Sequence, residues 1–199
     1  GMDSLAITDH GVMYGAIEFY KEATAQEIRP IVGMEAYITE DRRLKQKGEQ
    51  KNHHLLLLAK NKQGYQNLMR LSSIAHLEGY YYKPRIDHET LKKYAKGLIA
   101  TSACAPGEVA QAIINKDYAA AKKKIDWYLD VFDDDYYLEV QRHFYAQHAQ
   151  NAENTEIKHE LLGMADNEKI INENIIKLSR EYGIPMIATN DAHYIKKED

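Results

Sequence analysis

Hydrophobic and polar residues alternate along the chain with two different periods. Short apolar runs rich in aliphatic residues predict strands near 5–8, 31–38, 55–58, 98–101, 136–140 and 184–189. Between them, apolar residues recur at spacings of three and four, which predicts amphipathic helices near 12–27, 62–77, 87–95, from 106 onward, 117–132 and 167–182. This alternation is typical of an α/β fold with a largely parallel sheet.

Capping residues support these boundaries. Asp117 is a suitable N-cap, and Pro106 suits a helix start because its missing N–H costs nothing there. Gly97 and Gly183 follow the last periodic residues of two helices, where glycine commonly ends a helix.

Two polar stretches interrupt the pattern, at 39–52 and 142–166. We expect a solvated loop in the first and an insertion in the second. No Pro/Gly/Ser linker divides the chain, so residues 1–199 are interpreted as one domain. The first predicted strand has no sequence before it to cover its edge, and a buried parallel strand needs a neighbour on each side. We therefore expect the chain to begin inside a larger domain.

Composition narrows the class of protein. With 199 residues, 44% hydrophobic and 28% charged, the chain can bury a core, and it carries no apolar run long enough for a membrane span. No signal peptide is visible, so we expect a cytoplasmic protein. The single cysteine excludes an internal disulfide and any multi-cysteine zinc site. A net charge of -4 argues against broad coating of nucleic acid.

Potential metal ligands follow three of the predicted strands. His10, Cys104 and the pair Asp191 and His193 come directly after apolar runs, where α/β sheets bind ligands. Residues two apart in an extended segment point to the same side, as a shared metal ion requires. Each residue alone has an ordinary alternative as a cap, a turn or a buried apolar thiol. Their coincidence at one rim favours a metal site that activates water.

The other histidines fit this pattern less well. His53 and His54 precede their apolar run, so either that strand is antiparallel or one of them is structural. None of the remaining candidates ends a strand, and we expect them at the surface: His76, His88, His148 and His159.

Longer blocks carry a family resemblance. The segments 8–11, 15–21, 29–37, 54–60, 64–68, 77–80, 83–87, 97–100 and 188–194 resemble the PHP (polymerase and histidinol phosphatase) domain family. The Lys-Pro-Arg-Ile-Asp block at 83–87 resembles its branch in the alpha subunits of bacterial replicative DNA polymerases. The resemblance spans the chain except for the loop at 39–52 and part of the insertion.

The resemblance implies a distorted barrel of seven β/α units, here without its first strand. It further implies up to three divalent ions, zinc or manganese with iron or magnesium as alternatives, held at nine positions. Six of those positions match His10, Glu35, His54, Cys104, Asp191 and His193. The other three belong to a His-x-His motif with a following Asp, which we expect upstream of Met2.

Other residues are candidates for contact with DNA. Lys83 and Arg85 could steer a single-stranded 3′ end, or simply stay solvated on a loop. The tyrosines at 80–82 could stack bases or pack into the core. Gln141 and His143 follow a strand and approach the same rim, but they are not counted among the ligands.

Three functions are consistent with the resemblance. The first is a PHP domain of a replicative DNA polymerase with a metal-dependent 3′–5′ exonuclease site in the full-length protein. The second is a metal-stabilised scaffold that docks the proofreading subunit and the replisome. The third, a free-standing histidinol-phosphatase-like enzyme, is disfavoured by the polymerase-type blocks. With three of nine ligands missing, we expect weak metal binding and little activity from this segment alone. Polymerisation itself needs domains that the segment does not contain.

Overall fold

The computed structural model describes residues 1–48 and 50–194. Seven strands occur in this part of the chain: β1 (Ser4–Ile7), β2 (Arg29–Thr39), β3 (His53–Ala59), β4 (Arg85–Asp87), β5 (Leu98–Thr101), β6 (Tyr136–Gln141) and β7 (Met186–Thr189). The helices are α1 (Ala16–Ala25), α2 (Lys62–Leu77), α3 (His88–Tyr94), α4 (Glu108–Ile114), α5 (Tyr118–Phe132), α6 (Tyr145–Asn151) and α7 (Thr155–Tyr182).

The strands form one curled sheet. Its order is β1-β2-β3-β5-β6-β7, and β4 pairs in parallel with the end of β2. Strands β1 and β7 stand at opposite ends of this order, yet both line one cavity of about 510 Å³. The sheet therefore curls until its two edges face the same interior, as the α/β prediction and the family resemblance imply.

Strand β3 breaks the parallel arrangement. It runs antiparallel to both neighbours, with Leu57 opposite Met34 of β2 and opposite Ala100 of β5. Its first residues consequently lie at the same rim as the last residues of the parallel strands. This resolves the alternative for His53 and His54: the strand is antiparallel, and its histidine end reaches the rim.

The core lies between the sheet and the helices, and the predicted apolar faces form it. Leu68 and Leu71 of α2 and Ile125 of α5 are completely buried, and Ile175 of α7 is almost so. The predicted bounds 62–77 and 98–101 are confirmed by α2 and β5. Gly183 takes the left-handed φ of 70° that ends α7, as its position predicts.

The insertion expected at 142–166 is more ordered than the sequence pattern indicated. It contains α6 and the first turns of α7, which begins at Thr155 rather than near 167. Asn154 caps α7, because its side chain accepts hydrogen bonds from the backbone N–H groups of Glu156 and Ile157. The helix has few buried residues in this half, which is why apolar periodicity did not reveal it.

The loop after β2 is also less solvated than expected. Arg42 is 7% exposed, and its guanidinium donates to the carboxylates of Asp87 at 2.8 Å and Glu78 at 2.7 Å. This loop is thus fastened to the end of β4 and to the residue that follows α2.

A buried carboxylate joins three helices on the outer side of the sheet. Glu108, at the start of α4, accepts hydrogen bonds from Lys124 and Tyr128 of α5 and contacts Nε2 of His88 at 2.9 Å. His88 is therefore not a free surface histidine: its side chain is 22% exposed and its ring meets Trp127 edge to face.

We expect Glu108 to make stability fall at acid pH. Burial alone raises its pKa, but the hydrogen bonds and charges of His88 and Lys124 outweigh burial and lower it from 4.5 to about 2. A lowered folded-state pKa stabilises the fold above the unfolded value, and this contribution disappears as pH falls from about 4.5 toward 2. The shift from 4.5 to about 2 corresponds to about 3 kcal/mol. Urea denaturation across this pH range should show it in the native protein and not in Glu108→Gln.

The exposed Glu89 of α3 provides the matched control. Glu89→Gln should keep the full acid dependence. An equal acid dependence in the native protein and in Glu108→Gln would show that Glu108 does not contribute.

None of the helices in the described ranges combines the length and the apolar character that crossing a membrane requires.

Candidate metal centre

The six predicted ligands line one cavity of about 310 Å³ at the rim of the sheet: His10, Glu35, His54, Cys104, Asp191 and His193. They arrive from five different segments of the chain. His10 follows β1, Glu35 and His54 lie on β2 and β3, Cys104 follows β5, and the last pair follows β7. The structure thus brings together residues up to 183 positions apart.

The backbone fixes the first two of these residues beside each other. The N–H of Glu35 donates to the carbonyl of Asp9 at 3.1 Å, and the N–H of Gly11 donates to the carbonyl of Glu35 at 2.8 Å. These two bonds bracket His10 and extend the pairing of β1 with β2 beyond its last regular residue.

Three side chains form a compact donor set. The ligand atoms of His10, Glu35 and His54 all lie within 4.8 Å of one another, close enough to hold a metal ion. Nδ1 of His54 contacts Oε1 of Glu35, and Nδ1 of His10 lies 3.7 Å from the same oxygen. Two imidazoles and a carboxylate suit zinc, manganese or iron.

The remaining predicted ligands close around this set. Sγ of Cys104 lies 3.4 Å from Nδ1 of His54 and 3.7 Å from Oε1 of Glu35. Nε2 of His193 lies 3.1 Å from Nε2 of His10, so two ring nitrogens face each other across the rim. This crowding of donor atoms fits the divalent ions that the family resemblance implies.

Electrostatics support the same interpretation. Burial raises the pKa of Glu35, but the hydrogen bond and charge of His54 and the charge of His10 outweigh it and hold that pKa below its usual value. Burial also raises the pKa of the Cys104 thiol, and the carboxylates of Glu35 and Asp191 raise it further. Glu35 is thus a ready anionic ligand, whereas a metal ion would have to displace the thiol proton.

A buried carboxylate holds the strand ends below the centre. Glu139 of β6 is 4% exposed and accepts hydrogen bonds from the hydroxyls of Thr101 in β5 and Thr189 in β7. The side chain of Gln141 donates to it at 2.9 Å. The segments that carry Cys104 and Asp191 are therefore tied to one anchor.

Three rim segments contain non-glycine residues in the left-handed region. Ala103 has a φ of 56°, Phe144 of 56° and Asp191 of 48°. Such conformations cost of order 1–3 kcal/mol each and concentrate at functional sites. These three follow β5, β6 and β7 at the edge where the candidate ligands gather, while Glu27, Tyr82, Lys116 and Asp133 take left-handed conformations elsewhere.

The two basic residues predicted to contact DNA separate in the structure. Lys83 is exposed, and its Nζ lies 5.3 Å from the centre of the Tyr37 ring, which stacks with His10. The prediction that Arg85 is accessible to DNA is wrong, because Arg85 is only 2% exposed. Its guanidinium donates to the backbone carbonyls of Gly79, Arg42 and Leu44, which leaves it bracing the loop after β2.

The tyrosines at 80–82 differ in their exposure. Tyr80 and Tyr82 are 52% and 74% exposed, whereas Tyr81 lies against the buried Arg85.

The cavity has further polar residues that the ligand prediction does not include. Gln141, the last residue of β6, and His143, two residues further on, both line the cavity, as their place at the end of this strand indicated. Tyr145 and Glu168 come from α6 and α7, inside and just beyond the stretch that was interpreted as an insertion.

A curled α/β sheet whose rim gathers histidine, cysteine and carboxylate side chains defines a barrel-like protein with a candidate metal centre. The PHP domain family matches residues 1–143, and the chain belongs to that family.

Curated relatives extend the similarity over the whole chain. The chain is 44% identical over 201 residues to the DNA polymerase III subunit alpha of Borreliella burgdorferi and 44% identical over 209 residues to that of Helicobacter pylori. Each alignment covers 100% of the chain and 16% of the relative. The same subunit of Deinococcus radiodurans is 43% identical over 98% of the chain and 14% of its own length. The chain thus spans about one sixth of the curated relatives that it matches.

Proposed function

We propose that the chain serves as the PHP domain of a bacterial DNA polymerase III alpha subunit and that its cavity hydrolyses the terminal phosphodiester of a DNA 3′ end. The observation that carries the proposal is the convergence of six ligand-type side chains on one cavity, three of them within 4.8 Å of one another. The relatives that match the whole chain are DNA polymerase subunits, and this similarity supports DNA as the substrate.

Some residues of the cavity would hold metal ions, and others keep the cavity in shape. Divalent ions bound here would polarise the scissile phosphate and supply a deprotonated water as nucleophile. His10, Glu35 and His54 would hold one such ion, and Cys104, Asp191 and His193 would complete the ligand sphere. Glu139 keeps the strand ends in register beneath them. Lys83, exposed beside Tyr37, remains a candidate contact for the DNA backbone.

The second candidate is a metal-stabilised scaffold without hydrolytic activity, which docks other replication proteins. One observation favours it: across residues 1–48 and 50–194, no lysine or arginine lines the cavity. A site without cations depends entirely on bound metal to attract a phosphodiester.

An exonuclease assay on the full-length polymerase subunit separates these functions. We expect Mn²⁺-dependent release of single nucleotides from a labelled 3′ end in the absence of nucleoside triphosphates, and loss of that release in Glu35→Gln. If a folded, metal-loaded subunit releases no nucleotide, while metal still raises its melting temperature, the scaffold function is the correct one.

A further inference from the structure

A second group of side chains lines the cavity on the side of α7. Nδ1 of His143 lies 2.7 Å from Oε2 of Glu168, and the backbone N–H of His143 donates to the same oxygen at 3.0 Å. The ring of Tyr145 stacks on the imidazole, with the ring centres 4.9 Å apart and the planes inclined by 24°. All three residues border the same cavity as the candidate ligands.

Helix α7 holds this group in place. Asn172, one turn beyond Glu168, donates through Nδ2 to the carbonyl of Gln141 at 2.7 Å and accepts from the N–H of the same residue at 3.4 Å. The segment 141–143 is therefore fastened to the helix at two successive points. His143, Tyr145 and Glu168 thus form a fixed wall of the cavity, and this wall needs little further ordering when a ligand binds.

The pair with Glu168 determines which ring nitrogen of His143 is available. An ionised carboxylate only accepts hydrogen bonds, so the proton of the neutral imidazole belongs on Nδ1. Nε2 then keeps a lone pair, and it has no hydrogen-bond partner among the residues that the structure describes. His143 thus offers an oriented acceptor at the wall of the cavity.

The wall is unsuited to a phosphate. Among the described residues on this side of the cavity, Glu168 alone carries a formal charge, which is negative, and the apolar Met164 and Ile171 also line it. Within the described ranges, no set of three ligand atoms that includes His143 lies within 4.8 Å, so it stands apart from the compact donor set. A partly aromatic wall without cations, opposite a metal centre, suits the sugar and base of a nucleotide, because bases stack on aromatic rings.

We propose that His143 binds the terminal nucleoside of the substrate, with Nε2 accepting a hydrogen bond from its 3′-hydroxyl while the ring of Tyr145 lies beside the sugar and base. The proposal rests on the proposed function, since it assigns the phosphate to the metal side of the cavity and the nucleoside to the α7 side. His143 is then a substrate-binding residue, and Glu168 is a positioning residue that acts through it.

Binding of two mononucleotides tests the assignment without turnover. Thymidine 5′-monophosphate and its 3′-deoxy analogue differ only in the hydroxyl that His143 would accept. In the Mn²⁺-loaded protein, titration calorimetry should show about 3–10-fold tighter binding of the first, the value of one hydrogen bond. His143→Asn should bind both nucleotides equally, whereas His148→Asn, on the exposed side of α6, should retain the preference.

A second measurement needs no variant. Nitrogen-15 NMR of the native protein should show the His143 proton on Nδ1, and a proton on Nε2 in the neutral ring would overturn the proposal. So would a native protein with no preference between the nucleotides, or a preference that survives in His143→Asn. Hydrolysis of a DNA 3′ end without any such preference refutes this proposal alone. A preference without hydrolysis refutes the exonuclease function and leaves the nucleoside wall in place.

Discussion

Replacing Glu35 with glutamine should weaken metal binding by at least about 100-fold, since loss of even an outer partner of a ligand typically costs about 10–100-fold. Glu35 has the central position in the donor set: one of its oxygens contacts His54, and the same oxygen lies 3.7 Å from both His10 and Cys104. The amide removes the negative charge that offsets a divalent ion while keeping the shape of the side chain. A competition titration with a chromophoric chelator and Mn²⁺ or Zn²⁺ measures the change.

The exposed Glu18 on α1 supplies the matched control. Glu18→Gln removes the same charge at an exposed position that does not line the cavity, and it should leave the metal affinity within about 2-fold of the native value. Equal affinities for Glu35→Gln and Glu18→Gln would remove Glu35 from the ligand set.

Replacing Arg85 with methionine should destabilise the fold by about 3–5 kcal/mol, because it leaves buried acceptors without donors. The carbonyls of Gly79, Arg42 and Leu44 all accept from this guanidinium, at 2.9–3.1 Å. Methionine fills a similar volume but donates no hydrogen bond. Guanidinium chloride denaturation, followed by circular dichroism, gives the difference in the free energy of unfolding.

A variant at Lys83, two residues earlier, separates the structural role expected of Arg85 from a role in DNA binding. Lys83→Met should change stability by less than about 0.5 kcal/mol, as is usual for exposed positions. If Lys83 contacts DNA, this variant should instead weaken binding of a single-stranded oligonucleotide. An Arg85→Met variant as stable as the native protein would show that the three carbonyls have other donors.

The regular part of the fold could be predicted because its signals are local. The apolar face of α2 and the run that forms β5 are continuous in sequence, so periodicity located both. The direction of β3 could not be predicted in this way, because it depends on which strands become its neighbours. The short β4 could not be predicted either, because three consecutive buried residues show no periodicity.

The candidate site divides along similar lines. His10, Cys104 and Asp191 could be found because each directly follows an apolar run, and the family resemblance added Glu35 and His54. Arg85 could not be assigned from sequence, because burial of a guanidinium depends on carbonyls from distant loops. Glu168 was missed because its partner lies 25 residues away, across a stretch whose polar composition concealed a helix.

The antiparallel direction of β3 has a consequence for how this architecture can vary. Because β3 runs antiparallel to β2, the chain re-enters the sheet at the end where β2 finishes, and the connection between Thr39 and His53 joins two neighbouring strand ends. Residues can be added to or removed from this connection without shifting any strand in the sheet. Its attachment through Arg42 to Asp87 sets where such changes begin. The length of this connection can therefore vary among related chains while the order and direction of the strands stay constant.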